Sequence, residues 1–319
     1  MSPPKAIAQA ANINEILIAQ HAERIKYWGP IVQGGTLTII YAPPGIGKTQ
    51  LALRLAFEIS AGGKFLKWDC AKAARIMYID GEMGMKNLQD RLKMIRKDSL
   101  SDPIGGNFQV LALDHFQEHE LPNMANERNH RFYSDLVKDC DVVFIDNLSC
   151  VAEKESSRDD DVMVWNTVKK WCSAERNKGK AIILIDHTEK TGENYFGTSA
   201  KERAPDCMIH LRRSNPFDVT ANGSEFDFVI KKKRLFYGDD SESLHLKMYS
   251  RDEKMIWEWK THRAYLESEI ERLESMKLTT RDISNILNLP HESIKLIKAL
   301  KSDVIDVPYM REIPDDEQF

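Results

Sequence analysis

Seven short apolar runs, spaced through residues 37–234, limit the fold more than any other feature of this sequence. They are LTIIYA (37–42), ARIMYID (74–80), FQVLAL (108–113), DVVFID (141–146), AIILID (181–186), CMIHLRR (207–213) and FDFVIKKKR (226–234). Longer stretches with helical patterning lie between them. Near-continuous apolar strands alternating with helices predict an α/β fold, with a mostly parallel sheet covered on both faces. The stretch 159–179 predicts one covering helix. Its acids fall in the first turn, Val162, Trp165, Val168 and Trp171 recur every three residues, and a glycine closes it. Residues 239–259 alternate like a late antiparallel hairpin. After Trp259 the pattern changes to short helices and then to an acidic tail. The expected organisation is an N-terminal segment (1–33), a central α/β domain (34–260), a small helical module (261–303) and a tail (304–319).

At 319 residues, 42% hydrophobic and 29% charged, the chain has room for one large domain and a small addition. No apolar run approaches the roughly 20 residues that span a bilayer. The first residues, MSPPKAIAQAANINEILIAQ, lack a charged stretch followed by an apolar one, which argues against a secretory signal. The five cysteines, at 70, 140, 150, 172 and 207, form no C-x-x-C pair. That scatter suits reduced thiols, and the expected location is cytoplasmic. With a net charge of -4, any contact with nucleic acid must be local.

The first strand leads into APPGIGKT, Ala42 to Thr49, followed by the helical QLALRLAFEIS. The pattern is a phosphate-binding loop, G-x-x-x-x-G-K-[ST], with Ala42 where the first glycine belongs. Gly45 and Gly47 let backbone N–H groups turn inward on an anion. Lys48 reaches the β- and γ-phosphates, Thr49 offers a hydroxyl to Mg²⁺, and the new helix points its positive end at the phosphates. The expected nucleotide contacts are therefore Gly45, Ile46, Gly47, Lys48, Thr49 and Gln50, with ATP and Mg²⁺ as ligands. Three further strands end in polar residues, where such sheets put their ligands. Asp146 is the expected metal partner. Either Asp80 or Glu82 can polarise the attacking water, and spacing alone does not choose between them. His187 can sense the γ-phosphate.

The ordered set APPGIGKT, YIDGEM, FIDNLS, IDHTEKTG, FGTSA and IKKKR resembles the RecA/DnaB-type hexameric ATPases, and among them the plasmid RepA-like helicases and their relatives on phages and mobile elements. The resemblance covers about residues 15 to 240. It implies a RecA-like P-loop NTPase fold and ATP hydrolysis. It also implies a homo-oligomeric ring, a hexamer, with single-stranded DNA in the pore. Glu82 then becomes the catalytic carboxylate, Asp146 the metal acid and His187 the sensor. Lys232 and Arg234 match a lysine and arginine that reach into a neighbouring subunit's site, although Lys231 and Lys233 leave the register open. Ala42 departs from the pattern, as does the single histidine of DHTEK. Loops after the Asp146 and His187 strands would face DNA. The second offers Lys190, Tyr195, Phe196 and Lys201, two of which can stack on bases.

The segment LTTRDISNILNLPHESIKLIKALKS reads as helix, turn, helix, with Thr279 and Asp282 as a capping pair. Residues 262–301 hold seven Lys/Arg against six Asp/Glu, a net of +1. This charge supports DNA binding and docking of replication proteins equally. The resulting expectation is a replicative helicase of a mobile element that translocates on single-stranded DNA. Its rivals are a nucleotide-switched regulator or loader that recruits partners without unwinding, and a DNA-binding adaptor with a non-hydrolysing site.

Overall fold

The computed structural model describes residues 12–302 except 21, 117–120, 155–160, 189–199 and 214–222. A short helix α1 (Ile13–Ile18) precedes strands β1 (Lys26–Trp28) and β2 (Val32–Gln33). Then come β3 (Leu37–Ala42), α2 (Lys48–Ala61), β4 (Lys64–Phe65), β5 (Trp68–Asp69), β6 (Ile76–Asp80) and α3 (Met85–Asp98). The chain continues through β7 (Phe108–Ala112), α4 (His130–Leu136), β8 (Val142–Asp146), α5 (Leu148–Val151), α6 (Asp161–Asn177), β9 (Ala181–His187) and α7 (Ala200–Arg203). The remaining elements are β10 (Cys207–Arg212), β11 (Gly223–Lys233), β12 (Leu244–Arg251), β13 (Lys254–Thr261), α8 (His262–Ser275), α9 (Thr280–Leu287) and α10 (His291–Ser302).

One nine-stranded sheet organises the chain, in the order β13-β12-β11-β10-β3-β9-β8-β6-β7. Neighbours from β10 to β7 pair in parallel. β11, β12 and β13 add an antiparallel wing. β3, β6 and β8 are buried at every residue, as strands covered on both faces must be.

Successive strand residues point to opposite faces, so each face has its own core. Ile40, Tyr78, Phe144 and Ile185 pack against Leu51, Leu55 and Ile59 of α2 and Leu88 and Ile95 of α3. Ile39, Ile79, Ile145 and Leu184 pack against Tyr133 of α4, Leu148 of α5 and Trp165, Val168 and Trp171 of α6. The same alternation sorts the strand-end polar residues. Asp80, Asp146 and His187 fall on the α2 face, whereas Asp186 falls on the α6 face.

Residues 26–33 carry no periodicity long enough to read from sequence, yet they join the α2-side core. Trp28 is buried among Phe65, Trp68 and Phe228, and its indole N–H donates to the Phe65 carbonyl at 3.0 Å. At the other end α8, α9 and α10 enclose a separate small core of Ile270, Leu273, Ile283 and Ile294. Thr279 and Asp282 form the expected reciprocal cap on α9. No helix among the described residues is long and apolar enough to cross a membrane.

Candidate active site

The loop between β3 and α2 explains why alanine serves at position 42. Ala42 is the last residue of a fully buried strand, and its carbonyl accepts from Thr188 N–H at 3.2 Å and from the Lys48 ammonium at 3.0 Å. The left-handed backbone occurs later, at Gly45 (φ 75°) and Gly47 (φ 112°), where glycine is retained. A Cβ at Gly47 would also meet Met248 Cε at 3.1 Å. Ile46 is buried in the α2-side core, which anchors the loop.

Lys48 opens α2 and is buried. Its ammonium donates to the carbonyls of Ala42 and Pro43 (3.0 and 3.3 Å) and lies 3.1 Å from His187 Nδ1. Burial pushes its pKa down, against the pull of Asp146, Glu82 and Asp186. Burial, and then the Lys48 charge, hold His187 below its ordinary value, so the ring is neutral at neutral pH. Asp146 is almost wholly buried. Its pKa is pushed up to about 6 by that burial, while hydrogen bonds from Tyr78 and Thr49 act in the opposite direction. Tyr78 donates its hydroxyl to Asp146 Oδ2 at 2.5 Å. Asp146 Oδ1 is buried and accepts no hydrogen bond from the described residues.

Asp80 and Glu82 occupy different environments. The Asp80 carboxylate is buried and accepts the backbone N–H groups of Glu82, Met83 and Gly84 at 3.0 to 3.3 Å, shaping the turn after β6. Glu82 is exposed, and its Oε2 accepts from Asn147 Nδ2 at 2.9 Å. Asn147 Nδ2 also lies 3.1 Å from His187 Nε2. Asn147 Oδ1 accepts from Ser149 Oγ and Cys150 N–H, which orients the amide. Glu82, Asn147, His187 and Lys48 thus form one continuous polar chain across the ends of β6, β8, β9 and β3. Asn147 stands inside the quoted FIDNLS, but no spacing rule singles out an amide there, and only the tertiary contacts reveal its position.

A nucleotide–magnesium complex fits these residues. Mg²⁺ usually takes one or two protein groups, with waters and phosphates completing the octahedron. A buried carboxylate with one unengaged oxygen, next to the Thr49 hydroxyl, is that kind of donor set. The described residues contain no cluster of three or more His, Cys, Asp or Glu that would make a dedicated all-protein metal cage. Gln50 follows in α2, with its Oε1 buried and without a hydrogen-bond partner among the described residues.

Lys232 and Arg234 lie at the other end of the sheet. Lys232 pairs with Met208, and Met208 with Ile39, near the start of β3. The phosphate loop begins where β3 ends, at Ala42, some 10 Å or more away at about 3.3 Å per residue. Lys232 donates to the carbonyls of Glu202 and Arg203, and Arg234 donates to the Arg203 carbonyl at 2.6 Å. The two side chains therefore meet the same helix end.

Lys201 is not the DNA-facing lysine expected from sequence: its side chain is buried and its ammonium sits 3.1 Å from Asp186 Oδ2. The parity of β9 puts Asp186 on the α6 face, and Lys201 turns inward to neutralise it. Lys190, Tyr195 and Phe196 lie outside the described residues.

A glycine-turned loop at a strand-to-helix junction, with Lys48, Thr49 and Asp146 converging on it, defines a P-loop ATPase. Residues 4–193 match the AAA domain family, and the chain belongs to that family. The DNA repair and recombination protein RadB of Methanocaldococcus jannaschii is 21% identical over 194 residues, 57% of this chain and 80% of RadB. Among solved structures, a DnaB-like replicative helicase, described with its interactions with primase, superposes with a TM-score of 0.50 at 14% identity. The match covers 70% of this chain but only 58% of the helicase chain. The fold is RecA-like.

Proposed function

We propose that this ATPase works as a ring, most simply a hexamer, that translocates on single-stranded DNA as a replicative helicase of the plasmid RepA-like kind carried by mobile elements. The observation that carries the ring reading is the register of Lys232 and Arg234. Both sit at the sheet end away from their own phosphate loop, so a triphosphate they touch belongs to another subunit. Arginine suits that task because its planar fork bridges two oxygens. The DNA reading is supported by the kinds of protein that resemble this chain, a DNA repair and recombination protein and a replicative helicase.

Within one subunit Glu82 polarises the attacking water, Asn147 fixes the glutamate relative to His187, and His187 senses the γ-phosphate. The backbone around Gly45, Ile46 and Gly47, with Gln50 following in α2, cradles the nucleotide. Lys48, Thr49 and Asp146 would hold the phosphates and Mg²⁺, which when bound neutralises charge on the phosphoryl oxygens. Lys190, Tyr195 and Phe196 provide the DNA contact, the helices of residues 261–303 dock replication proteins or DNA, and residues 1–33 and 304–319 flank the 34–260 ATPase domain.

Glu82→Gln should retain ATP affinity while turnover falls by about two decades, roughly 3 kcal/mol of barrier. An active Glu82→Gln with a dead Asp80→Asn would move the role to Asp80. Arg234→Ala subunits should be nearly inactive alone, and mixing them with Lys48→Ala subunits should restore part of the hydrolysis, because some interfaces then combine one intact half from each. A strand-displacement assay tests the motor directly. DNA-stimulated hydrolysis without unwinding would favour the regulator or loader.

A further inference from the structure

The helix α7 is held near both ends by side-chain contacts from separate elements. At its start Lys201 pairs with Asp186, the residue before His187 on β9. At its end the Glu202 and Arg203 carbonyls have no further helical turn to accept from. Lys232 and Arg234 supply the missing donors.

This capping arrangement can be undone. The Arg234 side chain is 48% exposed, and its ion pair with Asp206 is long, at 3.8 Å. Asp206 does not depend on it. Its Oδ2 accepts from Arg176 at 2.6 Å and from Leu37 N–H at 3.0 Å, so it stays satisfied if Arg234 leaves. Lys232 and Arg234 also stand side by side as like charges. Burial, and then the Arg234 charge, push the Lys232 pKa down. Carbonyl dipoles offset this repulsion only in part, and a polyanion would offset it far better.

We propose that the C-terminal end of α7 is a second binding place for Lys232 and Arg234 that competes with the triphosphate of a neighbouring subunit. The two cations cap α7 when the neighbouring site is empty, and they uncap it when that site fills. Filling one site thereby loosens, in the adjoining subunit that supplies the two cations, a helix whose other end is tied through Lys201 and Asp186 to the strand end carrying that subunit's own His187. The proposal rests on reading Lys232 and Arg234 as residues that act in trans.

Hydrogen–deuterium exchange of the full chain, followed by mass spectrometry of the peptide from α7 through Asp206, tests it. Without nucleotide, a Lys232→Ala/Arg234→Ala variant should exchange there about tenfold faster than the unaltered chain. Adding a non-hydrolysable ATP analogue with Mg²⁺, where sizing shows that subunits associate, should give the unaltered chain a similar acceleration and the variant none. Unchanged or slower exchange in the associated, analogue-bound chain would overturn the proposal. Equal protection of the variant and the unaltered chain without nucleotide would also overturn it, because the cap would then not exist. If Arg234→Ala keeps full hydrolysis, the in-trans reading itself fails, and the nucleotide-free comparison still measures the cap separately. If no association occurs with the analogue, both fall together.

Discussion

Lys48 and Lys201 are buried to the same degree, 7% and 8% exposed, and both lie near the end of β9, but on opposite faces of the sheet. Their partners differ. Lys201 meets a buried carboxylate, Asp186. Lys48 meets two backbone carbonyls and a neutral imidazole. A buried ammonium–carboxylate pair is costly to separate, because each charge is stranded when the other leaves. An ammonium resting on dipoles remains under-compensated and moves readily toward an anion, and burial already disfavours its charge. Burial therefore does not distinguish a structural lysine from a ligand-binding one. The charge of the partner does.

The largest effect is expected at Lys48. Lys48→Ala should leave a folded protein and cut phosphate release by roughly 10³-fold, since the alanine removes a cation whose partners are carbonyls able to re-bond to water. Full turnover by this variant would mean that hydrolysis occurs elsewhere. Lys201→Ala should behave in the opposite way, costing about 3–5 kcal/mol of stability in denaturant unfolding by removing the cation that offsets the buried Asp186 charge. Replacing Asp186 as well, in Lys201→Ala/Asp186→Ala, should recover part of that loss. If Lys201→Ala instead weakened single-stranded DNA binding at unchanged stability, the lysine would be a surface contact after all and the contrast would collapse.

Much of this was legible from residue order. The parallel sheet follows from the apolar runs, and each of the seven became a strand within a few residues of its expected bounds. The phosphate loop follows from Gly45, Gly47, Lys48 and Thr49, and period-two alternation explains why Asp146 and His187 share the α2 face. Three things were not legible. That the turn after β6 engages the Asp80 carboxylate and leaves Glu82 exposed is a matter of backbone N–H direction rather than spacing. Lys201 read as a loop cation because its partner, Asp186, is 15 residues distant and faces the opposite core. Asn147 had no signal, since an amide after a strand-end acid is usually only a helix cap, and it does cap α5 here as well.

The smallest expected effect is at Asn147, on the Lys48 side of the sheet. The His187 ring faces a donor at each nitrogen, the Lys48 ammonium at Nδ1 and the Asn147 amide N–H at Nε2. A neutral imidazole accepts at one nitrogen only, so one of these contacts goes unsatisfied while Lys48 stays in place. Lys48 moving onto a phosphate would relieve the conflict and leave Asn147 as the donor to His187. Through its second amide hydrogen, Asn147 also orients Glu82. Asn147→Ala should therefore lower turnover about five- to thirty-fold, roughly 1–2 kcal/mol of barrier. ATP affinity should change little, because Lys48 and the loop backbone are untouched. Asn147→Asp should be worse than alanine, since it sets a carboxylate against Glu82 and removes the donor. A merely structural Asn147 would instead lose stability through its cap on α5, with turnover per folded molecule unchanged. Comparing ATP affinity, turnover and unfolding midpoint across the two variants decides between these outcomes.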